Sequence, residues 1–522
     1  MYNGSTMLPT RFHIAVYGCQ MNKLDGQLVA DRLRALGLSQ ADDAGQADLL
    51  LFVTCSVRKH AEDRVYSNVG KLKHRRRREP HLMIGILGCM AEKDREAIFC
   101  RLPHVDFICG PNQLDCLEEL IRQAAERRAA ADVNPSPLTG EVPPSGGGEG
   151  DGEFTGGLSP FSDTASKAGT VPLAPSADLN RAALSPGRAG QPAGLVDDHL
   201  EPFEAARLTP VGDHPYHAYV RAMRGCDNFC SYCIVPYVRG PEASRPPQAV
   251  LDEVARLVAS GVRHVTLLGQ SIGSYARDGT DGRTWHLADL VRSAARTPGL
   301  LRLDFVTMHP RTHSDDVLDL LAEGDPVAAH LHIPAQSGAD RILTAMNRGY
   351  TSAEYRRKVA EARRRIPGVD VASDFIVGFP GETEADFAET LALVREMRFS
   401  QVFAFKYSVR PGTAASRLED DVPATVKEER LGRLLAVQRE SALGANRELV
   451  GRTLPCLVTG PSAKPHLDAL SGAGDGRVQL ASLTPGNRMV MFRGGLDLVG
   501  RLVSVRITRA SALTLFGEAA EV

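Results

Sequence analysis

Three apolar runs, "RFHIAVYGC", "ADLLLFVTC" and "HLMIGILGC", each stop at a cysteine, and amphipathic segments such as "LDGQLVADRLRALG" separate them. Runs this continuously apolar read as strands buried on both faces, and their alternation with helices implies a parallel sheet. Parallel strands finish on one edge of their sheet. Cys19, Cys55 and Cys89 are therefore expected to converge there, although they are far apart in sequence. One buried cysteine is an ordinary small hydrophobe. Three at equivalent strand-to-helix junctions make a ligand set. A fourth run, "HVDFICG", brings Cys109 to the same edge as a rival ligand, before the helix "LDCLEELIRQAAERRAAA". Residues 10–131 thus read as one parallel α/β domain.

Composition shifts beyond it. Residues 132–210, beginning near "NPSPLTGEVPPSGGGEGDGEFTGG", are dense in Pro, Gly, Ser and Ala with few aromatics. Such a segment buries too little to offset its ordering entropy and is expected to be a disordered linker. Strand and helix alternate again over residues 211–445, with candidate strands "HAYVRAMRGC", "VRHVTLLGQ", "LLRLDFVTMHP", "AAHLHIPAQSG", "VDVASDFIVGFPG" and "QVFAFKYSVRPG". A full barrel of this kind uses eight units, so six predict an incomplete (β/α)6 barrel. Residues 446–522 break into short β-rich runs divided by Gly and Pro, the pattern of a small closed β-barrel of about five strands.

A second cysteine group is local. "RGCDNFCSYCIVP" places Cys226, Cys230 and Cys233 just after the first barrel strand, at the end where barrels of this kind keep their active sites. The C-x3-C-x2-C spacing is too uneven for paired zinc knuckles. A cubane iron–sulfur cluster needs four ligands, and three thiolates leave one iron open to a cofactor. Zinc completed by a distant Cys or His is the other reading. The chain has ten cysteines and a net charge of -2, without a basic leader followed by an apolar stretch or any span of about 18 apolar residues. A cytoplasmic location follows, where thiols stay reduced. Cys100, Cys116 and Cys456 are expected in the core.

The cysteine motif resembles that of radical S-adenosylmethionine (SAM) enzymes, and the wider chain resembles their methylthiotransferase branch. "YGCQMNKLDG", "VTCSVRKHAEDRV" and "RGCDNFCSYCIVPYVRGPEASRP" are similar to the MiaB-type family, which makes 2-methylthio-N6-isopentenyladenosine in tRNA. "HIPAQSGADRILTAMNRGYT", "DFIVGFPGETEADFAET" and "FKYSVRPGTAA" extend the likeness, and the terminal domain resembles a TRAM domain. The resemblance implies two [4Fe-4S] clusters, one on Cys226, Cys230 and Cys233 and an auxiliary one on Cys19, Cys55 and Cys89. SAM would complete the first cluster. Tyr232 matches the aromatic beside the adenine of SAM, and Gly269 and Gln270 of "LLGQ" match the region holding its methionyl part. The family pattern has no cysteine at Cys109, which is left out of the ligand set. Val53 stands where the family usually has Asn, and "SIGSY", with Ser271 and Gly273, replaces an Asn-rich run.

The implied reaction places sulfur and then a methyl group on C2 of isopentenylated adenosine at position 37. An unactivated C–H bond yields to no ordinary acid or base, so a radical is required. The implied partners are the tRNA anticodon loop and an electron donor of flavodoxin or ferredoxin type. The chain is expected to be monomeric and without a membrane. "KLKHRRRRE", with Lys71, Lys73 and Arg75 to Arg78, suits phosphate contacts. Residues 451–522 carry eight Lys and Arg against five Asp and Glu, and "NRMVMF" and Phe516 offer surfaces for base stacking. Other readings are a sibling enzyme acting on threonylcarbamoyl-adenosine, another acting on a ribosomal-protein aspartate, and a noncatalytic iron–sulfur RNA-binding protein. "TCSVR" favours the isopentenyl substrate.

Overall fold

The computed structural model describes residues 8–56, 59–133, 201–205, 207, 209–462 and 476–520. Strands β1 (Arg11–Tyr17), β2 (Ser39–Gln40), β3 (Leu49–Thr54), β4 (Met83–Gly88) and β5 (Phe107–Cys109) form a parallel sheet of order β2-β1-β3-β4-β5. Residues of β3 alternate between two cores. Leu49, Leu51 and Val53 pack on one side, Leu50 and Phe52 on the other. That two-sided burial is why the run is continuously apolar. The exposed two-residue β2 carries no such signal. Register decides where the thiols emerge: Tyr17 pairs with Thr54, and Thr54 pairs with Gly88.

Helix α1 (Gln20–Ala35) follows β1, α2 (Lys59–Arg78) follows β3 and α3 (Cys89–Asp94) follows β4. Each helix starts at the thiol edge, so the end of α2 lies at the opposite edge. There Arg75 donates to the carbonyls of Ala44, Gly45 and Ala47, just before β3. Arg76 donates to the Pro80 carbonyl and lies 3.7 Å from Asp106. Two members of the basic run are therefore committed to the fold, far from the cysteines. Lys71, Lys73, Arg77 and Arg78 remain exposed.

The second sheet system holds β6 (His217–Arg221), β9 (His264–Leu268) and β12 (Arg302–Phe305), then β13 (His330–His332), β14 (Asp370–Val377) and β15 (Gln401–Lys406), all parallel. A bridge between Leu303 and Val327 joins the two halves. Two antiparallel ribbons, β7 (Met223–Arg224) with β8 (Ala243–Ser244) and β10 (Ala276–Asp278) with β11 (Thr284–His286), decorate it. Among the described strands β15 and β6 do not pair, so the barrel is open between them. The last strands, β16 (Thr453–Pro461), β17 (Val478–Leu483), β18 (Met489–Gly494), β19 (Leu502–Ala510) and β20 (Leu515–Ala519), close into a barrel over Cys456, Leu480, Phe492 and Val505. Phe492 is thus a core residue and no stacking surface, and Arg509 covers the Phe516 ring.

The terminal barrel docks on the strand starts, opposite the cysteine end. Arg302 donates to the Thr484 carbonyl at 2.6 Å, and Arg488 pairs with Asp370. Beside them the floor of the open barrel is polar. His264 bonds Asp304 and His214, while His217 takes the Asp213 amide and meets Thr266. Rings of His217 and His264 stack 3.9 Å apart at 13°. Burial is the main cause holding His214 neutral, with a pKa lowered to about 4.

The expectation of a linker over 132–210 fails at its far end. Glu201–Ala205 is a helix, and Glu204 and Arg207 are buried. The reason is charge pairing, which a compositional reading misses. Glu204 lies 2.7 Å from Arg221 and 3.0 Å from Arg245, which also contacts Glu201 and Glu253 at 2.6 and 2.7 Å. Arg207 meets Glu253 at 3.0 Å. Residues 134–200 of that expectation lie outside the described residues. Burial alone would raise the Glu204 carboxyl, and the guanidiniums of Arg221, Arg245 and Arg224 more than reverse this, leaving it below its ordinary value.

Two expectations follow for stability. Glu204→Gln leaves two buried guanidiniums short of a counter-charge and should cost about 3–5 kcal/mol in urea unfolding; a loss below 1 kcal/mol would contradict the network. His214 is depressed in the folded state from its ordinary 6.5. Its unfolded form therefore gains a proton first, so its contribution is intact above pH 6.5 and declines as pH falls toward 4. The urea midpoint should drop between pH 7 and 5, and His214→Gln should flatten that drop.

Candidate functional site

Cys19 caps α1, Cys55 leaves β3 and Cys89 opens α3. Gly18 is required beside them: a Cβ there would stand 2.8 Å from the Cys55 Cβ and 2.4 Å from Asn22 Oδ1. The Cys19 thiol donates to Asn22 Oδ1 at 3.2 Å, and Asn22 Nδ2 donates to the Thr54 carbonyl at 2.9 Å. A hydrogen bond with Cys55 is the main cause lowering the Cys19 pKa to about 6, and the Arg239 charge adds to it. Burial pushes Cys89 up, against the pull of Arg239.

The second triplet sits in the loop after β7. Gly225 has φ +74, and a Cβ there would meet the Pro241 carbonyl oxygen at 1.8 Å. Phe229, with φ +45, turns the chain between Cys226 and Cys230. Asn347 Nδ2 holds that turn by donating to the Phe229 carbonyl at 3.0 Å. Burial raises the Cys226 thiol pKa, and burial is also the main cause pushing that of Cys233 up to about 12.

One cavity of about 630 Å³ brings both triplets together. Cys19, Cys55, Cys89, Cys226, Cys230, Cys233, Tyr232, Gly269 and Gln270 all line it. The rival Cys109 does not. Its side chain is fully buried in the α/β core and donates to the Gln113 carbonyl at 3.2 Å. Cys456 is also core, but Cys100 is exposed and Cys116 only half-buried, against expectation. Val53 packs into the apolar core away from the cavity, and Asn22 supplies the amide beside the thiols instead. Ser271 lines the cavity; Gly273 faces Thr312. Val57 and Arg58 of "TCSVR" lie outside the described residues.

The donor set fits iron–sulfur chemistry. No described cysteine is in a disulfide, and side-chain N–H groups point at sulfur. Asn228 Nδ2 donates to Cys226 Sγ at 3.2 Å, Arg348 Nη1 to Cys230 Sγ at 3.2 Å and Arg239 Nε to Cys89 Sγ at 3.3 Å. Such donors stabilise negative charge on ligating sulfur. Burial opposes a bare thiolate at Cys89, Cys226 and Cys233, and a bound cationic centre removes that penalty. Gln270 Oε1 and His309 Nε2 are buried, line the cavity and find no hydrogen-bond partner among the described residues. They fit a polar cofactor beside Cys226 to Cys233. Sequence reading missed Asn22, Asn228, Arg239, Arg348 and His309. Only Asn22 carried a local signal, three residues after the helix-capping Cys19.

Comparison with known proteins agrees in each part of the chain. Residues 220–394 match the radical SAM superfamily, residues 447–520 the TRAM domain, and residues 11–110 the uncharacterized protein family UPF0004. A tRNA-2-methylthio-N(6)-dimethylallyladenosine synthase from Rhodopirellula baltica is 37% identical over 506 residues, covering 97% of this chain and 94% of the relative. One from Geobacter metallireducens is 38% identical over 510 residues, covering 97% and 98%. The solved radical SAM methyltransferase TsrM from Kitasatospora setae matches 78% of this chain and 74% of its own at a TM-score of 0.47 and 16% identity.

Iron content tests the two ligand sets. Anaerobically reconstituted protein should bind about eight irons, and the Cys226→Ala/Cys230→Ala/Cys233→Ala variant about four, since each cubane holds four. Cys109→Ser should leave the count unchanged. A triple variant that keeps all its iron would refute the assignment.

Proposed function

We propose, from the premise that this chain belongs to the family of tRNA-2-methylthio-N(6)-dimethylallyladenosine synthases, that it methylthiolates C2 of N6-isopentenyladenosine beside the tRNA anticodon. It is a radical SAM tRNA methylthiotransferase with two [4Fe-4S] clusters. The observation that carries the residue assignment is the single cavity lined by all six cysteines of the two triplets. Cys226, Cys230 and Cys233 would hold the cluster that SAM completes, and Cys19, Cys55 and Cys89 the auxiliary one. When bound, these groups supply the radical that removes the C2 hydrogen and the sulfur and methyl that replace it.

The chain's own residues order this chemistry. Gly269 lets the end of β9 pack closely at the cavity wall, where a Cβ would stand 2.6 Å from Met223 Cγ. Gln270 offers its orphaned Oε1 to the cationic methionyl end of SAM. Tyr232 is half-buried against Phe379 and Tyr407 and borders the adenine of SAM. Arg348 and Asn228 orient the cysteine loop, and Arg239 and Asn22 orient the auxiliary set. The TRAM domain carries the tRNA, with the anticodon loop reaching the cavity. A monomer suffices, because one chain supplies both triplets. A small reduced flavodoxin or ferredoxin is the electron donor, and the cytoplasm supplies both it and tRNA. No described helix is long and apolar enough to cross a membrane.

The substrate assignment is tested by single-turnover methylthiolation of one tRNA prepared with and without the isopentenyl group. Burying five carbons at about 0.8 kcal/mol each gives at most roughly 2–4 kcal/mol, or about 30- to 1000-fold preference for the prenylated form. Equal rates, or turnover only on threonylcarbamoyl-adenosine, would overturn it.

A further inference from the structure

One short piece of backbone bridges the two cysteine sets. The helix Val235–Arg239 starts two residues after Cys233. Its end is clipped back to the same loop, because the Cys226 amide donates to the Gly240 carbonyl at 3.2 Å. Ile234 and Val238 pack with Cys89 of the first domain. The backbone before Cys89 has little choice of course: Gly88 has φ +94, and a Cβ there would meet the Thr54 carbonyl oxygen at 2.5 Å. Arg239 ends the helix, almost fully buried. Its Nε donates to Cys89 Sγ at 3.3 Å, and its Nη2 lies 2.8 Å from Asp25 Oδ2. Cys89 and Asp25 both belong to the first domain. A residue of the second domain therefore supplies the cation beside a thiol set that is not its own.

We propose that Arg239 is a positioning residue that sets the electron affinity of the auxiliary cluster, with Asp25 as its counterweight. This rests on the reading that Cys19, Cys55 and Cys89 hold such a cluster. Taking up one electron adds negative charge to a cluster and its thiolates. A guanidinium hydrogen-bonded to one of those sulfurs stabilises the reduced state more than the oxidised one. Burial keeps water from screening that charge. The Asp25 carboxylate acts in the opposite sense, and Arg221, 3.1 Å from it, shares its charge. Arginine suits the place because its rigid fork donates in two directions at once, to the sulfur and to the carboxylate. A lysine ammonium would be a point charge on a flexible stem.

The test measures the midpoint potential of the auxiliary cluster in the full chain carrying Cys226→Ala/Cys230→Ala/Cys233→Ala, where only that cluster remains. Dithionite supplies the electron, and the paramagnetic resonance signal of the reduced cluster is the readout. A background protein that holds no iron overturns the auxiliary assignment and the role of Arg239 with it. With about four irons present, Arg239→Gln should lower the ratio of reduced to oxidised cluster at a fixed potential about tenfold, a midpoint shift of about 59 mV for one electron. Arg239→Lys should recover part of that loss. Asp25→Asn should move the midpoint upward, because it removes the opposing charge. A purely structural role predicts shifts of one sign in both, through loosened packing and entry of water. Iron content and urea midpoint report that each variant is folded and loaded; if Arg239→Gln is not, Arg239→Lys and Asp25→Asn decide. An unchanged midpoint in a loaded Arg239 variant, or a fall in Asp25→Asn, would overturn the role of Arg239 while the two-cluster reading stands.

Discussion

The two catalytic halves are held in register by one buried carboxylate. Asp25, on α1 of the first domain, sits 3.1 Å from Arg221 of β6 and 2.8 Å from Arg239, both in the second domain. All three are almost fully buried. A charge so placed is tolerable only with its partners: removing one of them while the interface stays closed strands a buried charge, at a cost of about 3–5 kcal/mol. Arg239 also reaches Cys89 Sγ, so the contact that joins the domains also touches the auxiliary thiols.

The clamp continues outward. Arg221 passes charge balance to Glu204, Arg245 and Glu253, and Arg207 ends the chain of pairs. The short helix Glu201–Ala205 is thereby anchored under the first barrel strand, where the chain re-enters the described structure after residue 200. At the floor, Arg302 and Arg488 fix the terminal barrel. The cavity is consequently bounded by all three domains: Cys19 and Gln20 from the first, the cysteine loop and β13 to β15 from the second, and Asn487 from the third. Reactive chemistry needs such enclosure, because a radical exposed to water or to the wrong side chain is lost.

Much of this was legible in the chain. Strand-to-cysteine junctions, the C-x3-C-x2-C loop and the β-rich tail are local patterns, and local patterns survive without tertiary information. Within the basic run of α2, Arg75 and Arg76 were misread for the same reason. Composition registers charge density but not direction, and α2 carries Arg75 and Arg76 to the edge away from the thiols, where backbone carbonyls absorb them. The compositional linker was misread at its end because Glu204 and Arg207 look like solvated residues until their partners are known.

By itself the sequence determined the two cysteine sets, the parallel α/β and open-barrel classes and the small closed barrel, because apolar period and ligand spacing are short-range properties. Tertiary structure decided which cysteines share a space. Cys109 ends a strand as Cys19, Cys55 and Cys89 do, yet its side chain turns into the core while theirs open on the cavity. Tertiary structure also selected Arg239, Arg348 and Asn228 as the donors to sulfur. Each of these depends on how one element docks against another distant in sequence. No periodicity encodes that distance, because it is set by the buried charge pairs and packed faces that hold the domains together.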